Sequence, residues 1–183
     1  MKILFVCTGN VCRSPMAEGF LRYEAERRNL DIETRSTGTH AWNGRAATIE
    51  GRKVMNEHGV SIDDHRTIEL NADLVRWADL LIGMSREHVR DTVRTFPEAM
   101  DKTYTMKGLL EILGSLPPYT QTVAWLDAAA SMRQRAESID DADIDDPIGE
   151  REAAYRRVAA EVRELIERFA EGLEQSTSQR LTT

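Results

Sequence analysis

Five apolar residues, Ile3-Leu4-Phe5-Val6-Cys7, run without interruption into Thr8-Gly9-Asn10-Val11-Cys12-Arg13-Ser14-Pro15. This junction constrains the fold more than any other stretch of the chain. A short unbroken apolar run bounded by a glycine-containing loop reads as a buried strand. Ser14-Pro15 then supplies an N-cap candidate and a proline at the first helical position, so a helix is expected to begin there. A strand, a tight loop and a helix N-terminus make an anion cradle, because backbone N–H groups converge and the helix dipole adds positive potential. Arg13 can offer a two-pronged fork to two oxygens of such an anion. Cys7 is then expected beneath the anion as a nucleophile.

The chain has 183 residues and a formal net charge of -7. That length suits one domain with a sizeable core. The acidic balance argues against nucleic acid or anionic membranes as partners. No apolar run approaches the ~18 residues a membrane span needs, and the first residues enter a strand rather than a cleavable signal. A cytoplasmic protein is expected, and no pattern specifies an oligomeric state. Cys7 and Cys12 are the only cysteines. They lie too close together to staple distant parts of a fold and are too few for a structural zinc. The bland alternative is that both are small buried apolar residues.

Beyond the loop, Met16, Phe20, Leu21 and Tyr23 space an amphipathic helix over 14–28, and a strand follows near 32–36. Residues 46–58 read as a helix that stops at His58-Gly59, and Asn71 opens a helical turn. Ala78 to Met84 is a second apolar run of strand length, after which Ser85 caps a helix. The segment 106–138, broken at Pro117-Pro118, reads as an extended arm of two helices. Asp140, Asp141, Asp143, Asp145 and Asp146 form an acidic loop. Residues 150–172 carry Tyr155, Val158, Val162, Leu165, Ile166 and Phe169 on one stripe. Strands alternating with helices predict a single α/β domain whose parallel sheet is flanked by helices, with its ligand beyond the carboxyl ends of the strands.

The order of these motifs resembles the low-molecular-weight protein tyrosine phosphatases. The signature of that family is a cysteine, five loop residues, an arginine and a serine or threonine after the first strand, here Cys7, Thr8 to Cys12, Arg13 and Ser14. The likeness continues through Pro15-Met16-Ala17-Glu18, Ser36-Thr37-Gly38 with Trp42, Ala78-Asp79-Leu80-Leu81 before Met84, and Asp146-Pro147. It implies a four-stranded parallel sheet, a phosphatase-like domain over 1–172 and a polar tail over 173–183. It further implies hydrolysis of phosphotyrosine, in proteins or small aryl phosphates, through a phosphocysteine on Cys7, without metal or other cofactor.

The resemblance implies a role for each matching residue. Thr8, Gly9, Asn10, Val11, Cys12, Arg13 and Ser14 would bind the phosphate, with Ser14 also bonded to the nucleophilic sulfur. The general acid would be Asp146, whose proline neighbour fixes its backbone, with Asp145 as the fallback. Asn10 and Ser36 would hold the loop in shape, Asn10 in the left-handed conformation, and His65 would join that network. Gly9 would permit close backbone approach. Trp42 would stand at the rim, the alternative being a core tryptophan. Ile148-Gly149 replaces the aromatic pair common after Asp-Pro in the family. Val11 stands where tyrosine phosphatases carry isoleucine and arginine phosphatases threonine, so an arginine phosphatase of the same fold is the first alternative. An arsenate reductase would need further cysteines, and a non-catalytic phosphate-binding module would not need Asp146.

Overall fold

The computed structural model describes residues 1–115, 129–132 and 140–178. Four strands form one parallel sheet in the order β2-β1-β3-β4: β1 Lys2–Cys7, β2 Glu33–Gly38, β3 Leu80–Gly83 and β4 Thr103–Thr105. The central strand is buried from Ile3 to Cys7 because both sides are covered. Ile3, Phe5 and Cys7 join the larger core, and Leu4 and Val6 join a second one with Leu74, Val75 and Ala99. This is the period of two that places alternate side chains on opposite faces. It is also why the strand reads as continuous apolar sequence rather than as an alternation.

The helices are α1 Arg13–Arg28, α2 Ile49–Glu57, α3 Ala72–Trp77, α4 Arg86–Thr95, α5 Met106–Ser115 and α6 Glu152–Ser178. Three of their starts carry side-chain caps, two of them at the residues the sequence reading named, Asn71 and Ser85. Thr48, Asn71 and Ser85 each accept the N–H of the residue three positions on, at α2, α3 and α4 respectively. In α6 the whole expected stripe, Tyr155 to Phe169, is buried. This helix runs to Ser178, beyond residue 172. Of the expected helical arm over 106–138, α5 is present and residues 129–131 are helical. Residues 116–128 and 133–139 lie outside the described residues.

One expectation is corrected. The helix after the phosphate loop starts at Arg13 with Cys12 at its cap, and no side chain caps it. Ser14 is therefore inside the helix, its hydroxyl turned toward Cys7 rather than back onto the first-turn amides. Those amides stay open to the loop, which is what an anion cradle requires. The fourth strand, only three residues long, follows a 3-10 turn at Pro97–Lys102 that carries no strand pattern.

Candidate active site

Strand β1 ends at Cys7, the loop follows, and α1 begins at Arg13, so a single local segment supplies the Cys7 thiol, the loop and the Arg13 cation. Cys7 Sγ lies 3.0 Å from Ser14 Oγ, and the Asn10 N–H donates to it at 3.2 Å. Cys7, Asn10, Arg13 and Ser14 are all buried. Asn10 has φ 55, the left-handed conformation expected of it. Its side chain is fully used: Nδ2 donates to Ser14 Oγ and Ser36 Oγ, both at 2.9 Å, and Oδ1 accepts the Ile68 N–H at 2.9 Å. Its carbonyl accepts from His65 Nε2 at 2.8 Å. Ser36 passes its own proton to Glu18 Oε2 at 2.6 Å. Burial pushes the His65 ring below the ordinary histidine range, so the ring works here as a neutral donor.

Gly9 meets the expectation less directly than a different glycine does. A methyl added at Gly9 would touch only Val11 Cγ2, at 3.5 Å, an ordinary contact. At Gly38 the same methyl would sit 2.5 Å from the Thr8 carbonyl oxygen and 2.9 Å from the Asn10 nitrogen. The close backbone approach that shapes the loop is thus made by the end of β2, underneath it.

The acidic loop comes to this segment from 130 residues away. Arg13 Nη1 donates to the Ile144 carbonyl at 3.1 Å, and Nη2 is paired with Asp146. Arg13 Nε is buried and has no partner among the described residues. A buried N–H without an acceptor costs about 1–3 kcal/mol. An oxyanion held in the loop could supply that acceptor. The Cys12 thiol lies 3.7 Å from Asp146 Oδ1, and burial, with the nearby Cys7 and Asp146 charges, pushes it up to about 12. Cys12 is therefore a neutral thiol, which separates it from the nucleophile role. Among the neighbouring aspartates, Asp143 accepts the Arg86 backbone N–H at 2.7 Å, and Asp145 makes no hydrogen bond or ion pair among the described residues. Only Asp146 reaches Arg13.

Trp42 is not a core residue: it is 70% exposed, with the Arg45 guanidinium 4.2 Å from its ring centroid. The loop that carries it is tied to the phosphate loop at both ends, His40 N to the Thr8 carbonyl and Thr48 N to the Val11 carbonyl, each at 2.9 Å. Ile148, next to Asp146-Pro147, is also exposed. A groove of about 460 Å³ runs beside the Glu18, Ser36 and His65 network, and neither Cys7, Arg13 nor Asp146 lines it.

Two residues at the site escaped the sequence reading. Glu18 is the acceptor at the end of the Asn10–Ser36 chain. His88 is buried on α4, with Nε2 2.9 Å from Thr8 Oγ1 and Nδ1 2.9 Å from Ser85 Oγ. Burial and the positive Arg13 hold its ring down to about 4. The available signal was its place three residues after the Ser85 cap, which fixes the side chain against the cap hydroxyl.

Residues 2–115 match the family model described as low molecular weight phosphotyrosine protein phosphatase. A protein-arginine-phosphatase of Geobacillus stearothermophilus is 34% identical over 94% of this chain and 96% of its own length. The low molecular weight protein-tyrosine-phosphatase Etp of Escherichia coli is 33% identical over 73% of this chain and 88% of its own. Among solved structures, the YwlE arginine phosphatase from Geobacillus stearothermophilus superposes with a TM-score of 0.77 at 32% identity, covering 97% of this chain and 96% of that one. With the loop geometry, the four-stranded parallel sheet and these matches in place, the chain belongs to the low molecular weight phosphotyrosine protein phosphatase family.

Proposed function

We propose that this protein hydrolyses phosphotyrosine, in proteins or small aryl phosphates, with Cys7 as nucleophile, Arg13 as oxyanion clamp and Asp146 as general acid. The observation that carries the reading is Arg13: a buried guanidinium on the loop that Cys7 opens, whose Nε–H has no acceptor among the described residues. The thiolate is the reactive form of a cysteine, and Arg13, the helix N-terminus and the bonds from Asn10 N and Ser14 Oγ favour it. Cys7 Sγ attacks phosphorus in line, the P–S bond forms and the ester P–O bond breaks. Arg13 and the loop amides hold the equatorial oxygens as charge shifts among them. Asp146 donates a proton to the leaving oxygen, then as carboxylate takes one from the water that cleaves the P–S bond. Ser14 stabilises the departing thiolate in that second step.

Arg13 Nη2 is bonded to Asp146 while Nε has no partner among the described residues. An oxyanion that takes both nitrogens as a fork releases the Asp146 carboxylate, which takes up a proton from solvent or from a monoanionic phosphate before giving it to the leaving oxygen. Substrate arrival and liberation of the acid are then one event. Asn10, Ser36 and His65 keep the loop in shape, and Thr8, Gly9, Val11 and Cys12 complete it. On this reading residues 1–172 form the working domain. The enzyme acts in the cytoplasm on phosphorylated proteins, and neither nucleic acid, membrane, metal nor other cofactor takes part.

The aryl preference is supported by the apolar surroundings of the mouth: Val11 in the loop, Trp42 on the tied rim and Ile148 past the acid. A second reading, phosphoarginine as substrate, is favoured by the arginine-phosphatase relative that matches nearly the whole chain. An apolar floor leaves a guanidino N–H unpaired, at a cost of about 1–3 kcal/mol. Turnover on a phosphotyrosine peptide, phosphoarginine and a small alkyl phosphate tests the choice. The expected result is a higher kcat/KM for phosphotyrosine, a shift toward phosphoarginine in Val11→Thr, and a raised KM for phosphotyrosine in Trp42→Ala. Wild type that cleaves phosphoarginine at least as well as phosphotyrosine replaces the first reading with the second. No described helix is long and apolar enough to cross a membrane.

A further inference from the structure

His88 takes no part in the steps above, yet it is only 2% exposed and grips the residue that follows the nucleophile. Each ring nitrogen has one hydroxyl partner at 2.9 Å, Ser85 for Nδ1 and Thr8 for Nε2. A neutral imidazole carries one proton, so the protons of this chain can run in only two directions. In one, the Ser85 hydroxyl donates to Nδ1, Nε2–H donates to Thr8, and the proton of Thr8 is left to point elsewhere. In the other, Thr8 donates to Nε2, Nδ1–H donates to Ser85, and Thr8 turns a lone pair outward.

The surroundings select the first direction. Ser85 Oγ already accepts the His88 backbone N–H as the cap of α4. If it also accepted Nδ1–H, its own proton would have no acceptor among the described residues. Burial and Arg13 disfavour the doubly protonated ring, which would force that arrangement. Thr8 is exposed on the loop, next to Cys7, and a phosphate oxygen offers lone pairs only. A second lone pair facing it would repel, whereas a hydroxyl proton completes the chain.

We propose that His88 is a positioning residue that fixes the Thr8 hydroxyl as an added donor to the phosphoryl oxygens of the substrate. The chain runs Ser85 O–H to Nδ1, Nε2–H to Thr8, and Thr8 O–H to the oxyanion. It rests on the phosphatase reading of the loop.

Two measurements test it. The first is 15N NMR of histidine-labelled protein at pH 7, with the His88 signals assigned by their loss in His88→Asn, during titration with inorganic phosphate. The expected result is the Nε2–H tautomer in the phosphate complex. Phosphate binding with an Nδ1–H ring overturns this inference alone, and no phosphate-dependent change in the His88 or His65 signals, with no inhibition of turnover by phosphate, overturns it together with the phosphatase reading. The second is kinetic. Asparagine can keep the Ser85 contact but not reach Thr8, whereas glutamine can reach Thr8. His88→Asn and Thr8→Val should each lose about tenfold in kcat/KM on para-nitrophenyl phosphate, the scale of a hydrogen bond to a charged group. The double variant should lose no more than either alone, and His88→Gln should recover most of the loss. Independent, additive losses, or a loss in His88→Asn that glutamine does not recover and that tracks a drop in Tm, overturn the positioning role and leave a packing one.

Discussion

The two loops that meet at Arg13 are built in opposite ways. The phosphate loop is held by neutral hydrogen bonds that converge on one buried residue, Asn10, whose side chain and carbonyl engage Ser14, Ser36, Ile68 and His65. The acid loop has no such hub. Two backbone donors hold it, the Ile144 N–H to the Met84 carbonyl at 2.9 Å and the Arg86 N–H to Asp143 at 2.7 Å. Its other ties are to cations from other elements: Arg86 to the Asp140 carbonyl, Lys107 to Asp141 and to the Asp143 carbonyl at 3.1 and 3.0 Å, and Arg13 to Ile144 and Asp146. Asp146 itself is 38% exposed where the Arg13 side chain is 6% exposed. Neutral bonds between buried groups fix one geometry, because breaking any of them strands a polar group. Ion pairs at the surface are weak, screened by salt and tolerant of displacement. The cradle around Cys7 is therefore preformed, and Asp146 is attached more loosely, which on the proposed mechanism lets an arriving oxyanion displace it.

Removing the nucleophile is the largest test of that contrast. Cys7→Ser should abolish turnover while phosphate or vanadate still binds, because the cradle does not depend on the sulfur. Ordinary activity in this variant would sink the covalent mechanism. Asp146→Asn comes next, with an expected loss of about 10²–10⁴-fold on an alkyl or other poor leaving group and far less on an activated aryl ester. An equal loss on both esters, or a larger one from Asp145→Asn, would move the acid elsewhere.

The preformed side can be read through pH. An unfolded His88 takes up its proton near the ordinary value of 6.5, and the folded ring only near about 4. Between those values the unfolded chain binds more protons, so stability is full above pH 6.5 and falls as the pH drops toward 4. The contribution is of order 3 kcal/mol. Urea unfolding across this window should show a steeper pH slope for wild type than for His88→Asn, and identical slopes would mean the ring is not held neutral. The smallest effect is expected at the adjustable loop. Lys107→Met should cost about 3–10-fold on the poor leaving group, leave phosphate binding alone, and make the residual activity less sensitive to salt. A matching loss of phosphate affinity would show that the two loops are not separable.

Much of the site was legible because it is contiguous. Cys7, Arg13 and Ser14 lie on one strand, loop and helix, and their chemistry follows from local geometry that eight residues encode. Asp146 stood out among five aspartates through its proline neighbour, and only Asp146 proved to reach Arg13. Of the two roles expected of Ser14, the bond to the Cys7 sulfur is present and the helix cap is not, because one hydroxyl served the buried sulfur instead of the open amides.

What the sequence by itself determined is therefore the buried central strand, the anion loop between it and α1, the starts of α3 and α4 at Asn71 and Ser85, and the stripe of α6, all set by spacing and residue type, while the left-handed Asn10 followed from the family resemblance. The tertiary structure alone decided the rest. It placed Gly38 under the loop, where a methyl would strike the Thr8 carbonyl, brought Glu18 to Ser36, and joined His88 to Thr8 across 80 positions. It also turned three residues, Thr103–Thr105, into a strand by pairing them with β3. Periodicity and capping act within one turn or one strand and leave a trace along the chain. A contact between distant residues exists only once packing has chosen which faces meet.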